Sequence, residues 1–234
     1  MYEKNIEILD QVTKEKAAIR HISRHRNPDG TLDVKGNLKI WKDVTSRFER
    51  VPLWEKGAPG FDPEDSRQEQ PFLIFVPSGQ KNSDTILIAH GGGFLWRTGC
   101  EGIDTAKYFH DRGFHTAILS YRLLPYSRMD SFADMRRAIR LLRSKTEAWE
   151  LGEHLYVMGF SAGGMLAANC ATQFDYGNCL ISVEKAKDTL ECGKQILDGK
   201  INAEIQKVHF FHGSFYRYKD IYLYNGSFEE LHSK

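Results

Sequence analysis

The sequence predicts an α/β protein built on a doubly wound, mostly parallel sheet. Two stretches, 72–76 and 85–89, are almost entirely apolar, which is typical of central strands that helices cover on both faces. Further along, β-prone runs at 114–120 and 154–158 alternate with a segment of helical spacing at 130–143. Strands that alternate with helices in this way favour a parallel sheet.

The length and charge of the chain limit both its organisation and its partners. With 234 residues, the chain can form one large core but not two. We therefore expect a single domain over 1–234, with an N-terminal helix and strand extension (1–50), a motif-bearing core (51–175) and a divergent C-terminal part (176–234). The 32 basic and 31 acidic residues give a net charge of +1, so no bulk field favours nucleic acid or an anionic membrane.

The other elements follow from periodicity and from turn residues. Apolar residues at helical spacing predict a helix over 1–26, and partly alternating apolar residues predict one or two strands within 38–53. The stretch 55–70 is rich in Gly, Pro and Asp and is predicted to be a loop. The remaining predicted elements are helices over 101–112, 165–171 and 184–197 and strands over 179–183, 208–211 and 221–224.

The N-terminus and the cysteines favour a protein of a reducing compartment. The first residues are charged and include no apolar h-region, and no apolar run approaches the roughly 20 residues of a membrane span. The four cysteines show no metal-like spacing and are expected to be free thiols. They are Cys100, Cys170, Cys179 and Cys192. We expect a cytoplasmic protein that binds neither a membrane nor nucleic acid.

The segment around Ser161 has the pattern G-x-S-x-G between a predicted strand and a predicted helix. Gly159 and Gly163 lie two positions before and after the serine. In the context of strand, sharp turn and helix this pattern holds a nucleophile, because the strained turn lifts the serine hydroxyl above the sheet edge. The five-residue pattern alone is a weak signal, and a plain strand-to-helix turn is the alternative.

The four residues His90-Gly91-Gly92-Gly93 directly follow the strand predicted at 85–89. Glycines let a backbone approach a ligand and turn its amides outward, so this loop suits the stabilisation of a tetrahedral oxyanion. A phosphate-binding loop is the alternative, but neither G-x-G-x-x-G nor G-K-[ST] spacing is present here. Together with the later G-x-S-x-G, the loop is a fairly specific signal for an ester hydrolase.

Three motifs occur in the same order as in a known family. They are HGGGF at 90–94, YRLLP at 121–125 and GFSAGG at 159–164. In this order they resemble the α/β-hydrolase esterases of the hormone-sensitive-lipase-like and acetyl esterase groups. The preceding segment VPLWEKGAPG at 51–60 is similar to that of bacterial acetylxylan-esterase-like members. The resemblance covers residues 50–175 and implies the α/β-hydrolase fold.

The resemblance also implies roles for individual residues. Ser161 would be the nucleophile, and His90 would brace the glycine loop. Asp134, in the helix after the Tyr-Arg-x-x-Pro segment, would be structural and hold Arg122, although a solvated helix carboxylate is the alternative. The oxyanion hole would comprise the backbone amides of Gly92, Gly93 and Ala162.

The C-terminal part departs from the family pattern. In the family an acid follows a late strand and a histidine lies near the C-terminus, but here only 73 residues follow Ser161. The best matches are Asp220, after the strand predicted at 208–211, and His232. Alternatively, 176–234 is an aberrant terminus that leaves the C-terminal sheet edge incomplete and the serine without a base. The other candidate partners are His209, His212, Asp175, Asp188 and Asp198.

The function favoured by these residues is that of a serine carboxylesterase acting on short-chain, acetyl-type esters. Its partner would be a small-molecule ester, for which sugars are candidate alcohols, and no metal or cofactor would be required. One alternative is a catalytically impaired or truncated hydrolase-fold protein with a binding role. Another is a peptidase of the prolyl-oligopeptidase kind, against which the HGGG loop counts. An uncovered sheet edge would also permit a homodimer.

Overall fold

A computed structural model describes residues 2–15 and 26–172, together with the backbone of 213–218 and 221–223. The helices are α1 (Lys4–Lys14), α2 (Val34–Thr45), α3 (Thr105–His110), α4 (Arg128–Ser144) and α5 (Ala162–Thr172), with a π-helical turn at Cys100–Asp104 before α3. The strands are β1 (Arg50–Pro52), β2 (Phe72–Val76), β3 (Ser83–Ala89), β4 (His115–Ser120), β5 (Leu151–Phe160), β6 (Gly213–Tyr218) and β7 (Ile221–Leu223).

The strands form one mixed sheet in the order β1-β2-β4-β3-β5-β6-β7. Strands β4, β3 and β5 are parallel, whereas β2 runs antiparallel to β4 and β6 runs antiparallel to β5. The sheet is therefore mixed rather than mostly parallel. Apolar runs report burial on both faces and carry no information on strand direction. The short connection at 77–82, between β2 and β3, indicates that these two strands run in opposite directions, because a parallel crossover needs about a dozen residues.

Helices cover both faces of this sheet and form two separate cores. One core joins Leu73 and Phe75 of β2 to side chains of α4 and α5, including Met135 and Leu166. The other joins Ile74 and neighbouring residues of β2 and β3 to α1, α2 and α3. Successive residues of β2 thus contribute to opposite cores, and all five are buried. This two-sided burial explains the continuous apolar runs in the sequence.

The strands predicted within 38–53 are wrong for most of that segment. The structure has α2 from Val34 to Thr45, and only β1 is extended. The Asp33 side chain caps the helix by accepting a hydrogen bond from the backbone N–H of Gly36 at 2.8 Å. Its buried apolar residues are Leu38, Trp41 and Val44. A spacing of three residues places them on one helical face, so the period was misread as alternation.

The first helix ends earlier than predicted, at Lys14. Arg26, the last residue of the predicted helix, instead forms an isolated bridge with Leu32. The predicted elements at 179–183, 184–197 and 208–211 lie outside the described residues, and β6 was not predicted. The strands predicted at 72–76, 85–89, 114–120 and 154–158 are confirmed, as are the helices at 130–143 and 165–171 and the loop at 55–70. The helix predicted over 101–112 is α-helical only from Thr105 to His110. Within the described part of the chain, no helix combines the length and apolarity that crossing a membrane requires.

Candidate active site

Ser161 occupies a tight turn between the end of β5 and the start of α5. Its φ is 47°, a left-handed conformation that is unfavourable for a residue with a Cβ atom. The residue is exposed, whereas its neighbour Ala162 is buried. A strained and exposed serine between a strand and a helix is the geometry of a nucleophile elbow.

The two glycines of the G-x-S-x-G pattern are required by close backbone approaches. A Cβ atom on Gly159 would overlap the backbone of Gly163, so the strand and the helix could not pass each other. A Cβ atom on Gly163 would overlap the carbonyl of Ala89 and would lie 2.6 Å from the carbonyl oxygen of His90. Gly159 therefore allows the strand and the helix of the elbow to pass each other, and Gly163 allows the elbow to pack against the end of β3.

Replacement of Gly163 by alanine is expected to destabilise the fold by about 3 kcal/mol, because backbone atoms cannot move aside as a flexible side chain can. Urea unfolding would measure this cost. The matched control is Gly30→Ala, which adds a Cβ atom at a positive φ of 82° but meets nothing within 4 Å. The control should cost about 1 kcal/mol from backbone strain alone. Equal costs for the two variants would contradict the overlap.

The glycine loop at 90–93 packs directly against this elbow. A Cβ atom on Gly91 would lie 2.9 Å from the carbonyl oxygen of Phe160 and 3.3 Å from the Cβ atom of Ser161. The two motifs, 70 residues apart in the sequence, are thus in van der Waals contact through their backbones. The structure brings together the loop and the serine that the sequence analysis paired.

The next two glycines adopt conformations that side chains disfavour. Gly92 has a φ of 120° and Gly93 a φ of 63°. A Cβ atom on Gly92 would overlap Trp96, whereas the Cβ position of Gly93 meets no atom within 4 Å. Within residues 2–15 and 26–172, no acceptor is found for the N–H groups of Gly92, Gly93 or Ala162. Because Ala162 begins α5, its N–H is also one of the free donors at a helix N-terminus.

His90 is fully buried beneath the glycine loop. Its Nδ1 lies 2.7 Å from the carbonyl oxygen of Gly91, and since a carbonyl only accepts, Nδ1 carries the proton. The ring stacks on Tyr121 with centroids 4.6 Å apart, and the Tyr121 hydroxyl donates to the His90 carbonyl oxygen at 2.6 Å. Burial lowers the pKa of His90 to about 3, so the ring is neutral. A neutral, enclosed imidazole suits a brace for the loop and cannot reach a substrate.

Arg122 and Asp134 form a buried ion pair, as the resemblance implied. The guanidinium donates through Nε and Nη2 to the two carboxylate oxygens, each at 2.9 Å. The Arg122 backbone N–H donates to the same carboxylate at 3.0 Å. Trp54 donates its indole N–H to Asp134 at 3.0 Å, and Arg122 also donates to the carbonyl of Pro59 at 2.6 Å. The pair therefore ties the 51–60 segment to α4, and the structural role of Asp134 is confirmed.

Glu101 is a site residue that the sequence analysis did not find. It lies in the π-helical turn Cys100–Asp104, and its carboxylate accepts a hydrogen bond from the Gly91 N–H at 2.7 Å. The residue belongs to no motif, and 101–112 was predicted as an ordinary helix. The π-helical turn, which often marks functional sites, is visible only in the structure.

Three large apolar side chains of the described residues are exposed, and all belong to segments around Ser161. They are Leu95, Leu124 and Met165. Leu95 follows the glycine loop, and the Leu124 N–H donates to the Phe94 carbonyl at 2.8 Å. The Met165 N–H donates to the Ser161 carbonyl at 3.0 Å, in the first turn of α5. Met165 therefore adds an exposed apolar side chain directly after the elbow, and Leu95 and Leu124 add two in the segments next to the glycine loop.

The predicted acid and base, Asp220 and His232, lie outside the described residues. Two described residues flank the connection that contains Asp220. Tyr218 and Ile221, on either side of the 219–220 connection, are paired with each other, and Ile221 pairs with Leu155. Leu155 precedes Ser161 by six residues, or about 20 Å along a strand.

The other end of β6 lies beside the elbow. Gly213 pairs with Phe160, the residue directly before Ser161. His212, which precedes Gly213 in the sequence, also lies outside the described residues. The register therefore makes His212 a necessary comparison for His232 in any test of the base.

Comparison with known proteins identifies relatives among esterases and xylan-degrading enzymes. The chain is 32% identical over 109 residues to endo-1,4-beta-xylanase B of Butyrivibrio fibrisolvens, a match that spans 44% of this chain and 17% of that protein. It is 24% identical over 105 residues to acetylxylan esterase of Xylanibacter ruminicola, spanning 44% of this chain and 22% of that protein. The chain thus spans less than a quarter of either relative.

A solved structure supports the α/β-hydrolase fold. The acetyl ester-xyloside bifunctional hydrolase from Caldicellulosiruptor lactoaceticus is 31% identical to this chain, with a TM-score of 0.52. The superposition covers 57% of this chain and 50% of that one. The BD-FAE family model matches residues 73–207, which is more than half of the sequence and runs from the second residue of β2 through the elbow. Because the family model covers more than half of the chain, the chain belongs to the BD-FAE family of α/β-hydrolase-type proteins.

Proposed function

We propose that the chain is a serine carboxylesterase that hydrolyses acetyl-type esters, with acetylated sugars as its substrate class. The observation that carries the proposal is the packing of the glycine loop against a strained, exposed Ser161. Strain at an exposed serine is retained only where the surroundings impose it, and here two backbone contacts do so. The relatives that hydrolyse acetyl esters support the substrate class.

In the proposed mechanism, the Ser161 hydroxyl attacks the acyl carbon while a histidine accepts its proton. The negative charge that develops on the carbonyl oxygen is stabilised by the N–H groups of Gly92, Gly93 and Ala162. The helix dipole of α5 adds to this stabilisation because Ala162 is its first residue. The alcohol leaves with the proton from the histidine, and water then hydrolyses the acyl-enzyme by the same sequence of steps. By the family resemblance we assign the histidine to His232 and its acid to Asp220. The pairing of Ile221 with Leu155, about 20 Å from Ser161 along β5, counts against Asp220 as this acid.

The test follows p-nitrophenyl acetate hydrolysis in burst and steady state, with a fluorophosphonate probe to label the nucleophile. A single covalent adduct on the peptide containing Ser161, together with sustained turnover, is the expected result. Amide substrates of the same acyl group distinguish an esterase from a peptidase. Absence of labelling at Ser161 in folded protein would overturn the proposal.

The base and the acid are tested separately in the same assay. His232→Ala and Asp220→Ala are each expected to lower kcat by about 10³-fold or more while the labelled serine stays accessible. His212→Ala is the matched control and should retain turnover. The opposite pattern, with His212 essential and His232 dispensable, would move the base to the start of β6. A burst that none of the three variants alters, without turnover, would indicate a nucleophile that lacks its base.

A further inference from the structure

The glycine loop is held in place by hydrogen bonds at residues 90 and 91. The His90 carbonyl accepts from the Tyr121 hydroxyl at 2.6 Å, and the Gly91 carbonyl accepts from the His90 ring at 2.7 Å. The Gly91 N–H donates to Glu101 at 2.7 Å. Each polar backbone group from the His90 carbonyl to the Gly91 carbonyl therefore has a fixed partner. The next two N–H groups are those proposed to bind the oxyanion.

Of the three side chains that bond to residues 90 and 91, only Glu101 has a carboxylate. Its Oε2 atom would lie 2.8 Å from a Cβ atom on Gly91, and the Cβ atom of Ser161 would lie 3.3 Å from the same point. The carboxylate and the serine thus flank Gly91 closely. Any shift of Glu101 would move the peptide plane between His90 and Gly91, and with it the orientation of the following amides.

On these contacts, we propose that Glu101 is a positioning residue that fixes the oxyanion loop through the Gly91 N–H. The inference rests on the proposed function, because it deepens the role of the same loop. Thr98 supports Glu101 by a side-chain hydrogen bond. The carboxylate acts through the backbone and not on the substrate, so its effect appears in the transition state, when the oxyanion forms.

The surroundings of Glu101 act on its charge in opposite directions. Burial raises the pKa of Glu101, while the hydrogen bonds from Gly91 and Thr98 favour its ionised form. A hydrogen bond to an ionised acceptor is roughly twice as strong as one between neutral groups. An ionised Glu101 would therefore hold Gly91 more firmly than a neutral acceptor would.

The kinetic test compares Glu101→Ala and Glu101→Gln with wild type on p-nitrophenyl acetate. Glu101→Ala is expected to lower kcat by about 10- to 100-fold with KM changed less than threefold, since misplaced oxyanion donors affect the transition state most. Glu101→Gln keeps an acceptor oxygen for Gly91 and is expected to restore most of kcat. The matched control is Glu153→Ala, an exposed position on β5 away from the elbow. Wild-type kcat in Glu101→Ala would overturn the inference.

A second measurement does not depend on turnover. Labelling histidine carbonyls with ¹³C and glycine nitrogens with ¹⁵N selects two residue pairs, His90-Gly91 and His212-Gly213. The His212→Ala variant identifies the second signal. The Gly91 amide is expected to exchange its hydrogen at least about tenfold faster in Glu101→Ala than in wild type, because its acceptor is gone.

The two measurements separate the failure of the inference from that of the proposed function. An inactive wild type whose Gly91 amide is protected by Glu101 would sink the esterase proposal and leave the positioning contact established. An active wild type with unchanged Gly91 exchange in Glu101→Ala would overturn the inference alone. If Glu101→Ala lowers the melting temperature but leaves kcat per labelled serine unchanged, the role of Glu101 is purely structural. That result would also contradict the inference.

Discussion

Replacement of Ser161 by alanine is expected to lower the turnover of p-nitrophenyl acetate by about 10⁴-fold or more, since removal of the nucleophile leaves only oxyanion stabilisation. Labelling by the fluorophosphonate probe should disappear at the same time. The fold should be unaffected, because alanine can occupy the same φ of 47° and Ser161 is exposed. Steady-state kinetics, intact-protein mass spectrometry and thermal unfolding measure the three effects.

A glycine at the same position separates strain from chemistry. Ser161→Gly should be as inactive as Ser161→Ala but about 1 kcal/mol more stable, since glycine adopts a positive φ without the cost that a Cβ atom brings. Equal stability of the two variants would contradict the strain at the elbow. Turnover in Ser161→Ala within about tenfold of wild type would contradict the assignment of the nucleophile.

The sequence was sufficient to predict the elements that position the site. Continuous apolar runs located β2 and β3, and the glycine patterns located the two turns that the structure brings into contact. These features are predictable because they are local: a tight turn needs glycine where backbones meet, and a strand buried on both faces needs apolar residues throughout.

The direction of β2 and the helix α2 were not predicted, for different reasons. The direction of a strand depends on its partners, and hydrophobic periodicity does not report them. In α2, the apolar positions Leu38, Trp41 and Val44 fit a helical spacing, but Ile40 within the helix and Phe48 after it resemble an alternation. The N-capping Asp33 was the signal that could have decided between them.

Glu101 shows the limit of motif-based reasoning at the site. Its contact with Gly91 arises from a π-helical turn that brings a side chain back towards a loop ten residues earlier. No spacing rule anticipates this approach, because the turn is a local departure from the α-helical period. The catalytic histidine and its acid are difficult to predict for another reason. The sequence supplies several candidates for each, but it does not give the strand register that would select one of them.

Removal of the Asp134 carboxylate is expected to have the largest effect on stability. Asp134 and Arg122 are both almost completely buried. Asp134→Ala would leave the Arg122 backbone N–H and the Trp54 indole without their acceptor, and it would leave Asp130, at 3.3 Å, as the charged partner of the guanidinium. Breaking a buried pair by removing one partner costs about 3–5 kcal/mol, a large share of the roughly 5–15 kcal/mol that holds a domain together. Urea unfolding followed by tryptophan fluorescence would measure this loss.

The exposed pair of Lys81 and Glu150 provides the control. Glu150→Ala should cost at most about 1 kcal/mol, because solvent screens both charges. A cost for Asp134→Ala as small as that of the control would contradict the structural role of the buried pair.

Removing both charges of the buried pair separates two costs. One is the cost of burying Arg122 without its main partner, and the other is the cost of losing the contacts that the pair makes. In Arg122→Met combined with Asp134→Leu, no buried charge is left unpaired, and the destabilisation should be smaller than for Asp134→Ala alone. The double variant still loses the hydrogen bonds from Arg122 to Pro59 and Asp130 and the bond from Trp54. Its remaining cost therefore measures what the pair contributes by tying the 51–60 segment to α4. A double variant less stable than Asp134→Ala would mean that these tethers, rather than the uncompensated charge, dominate.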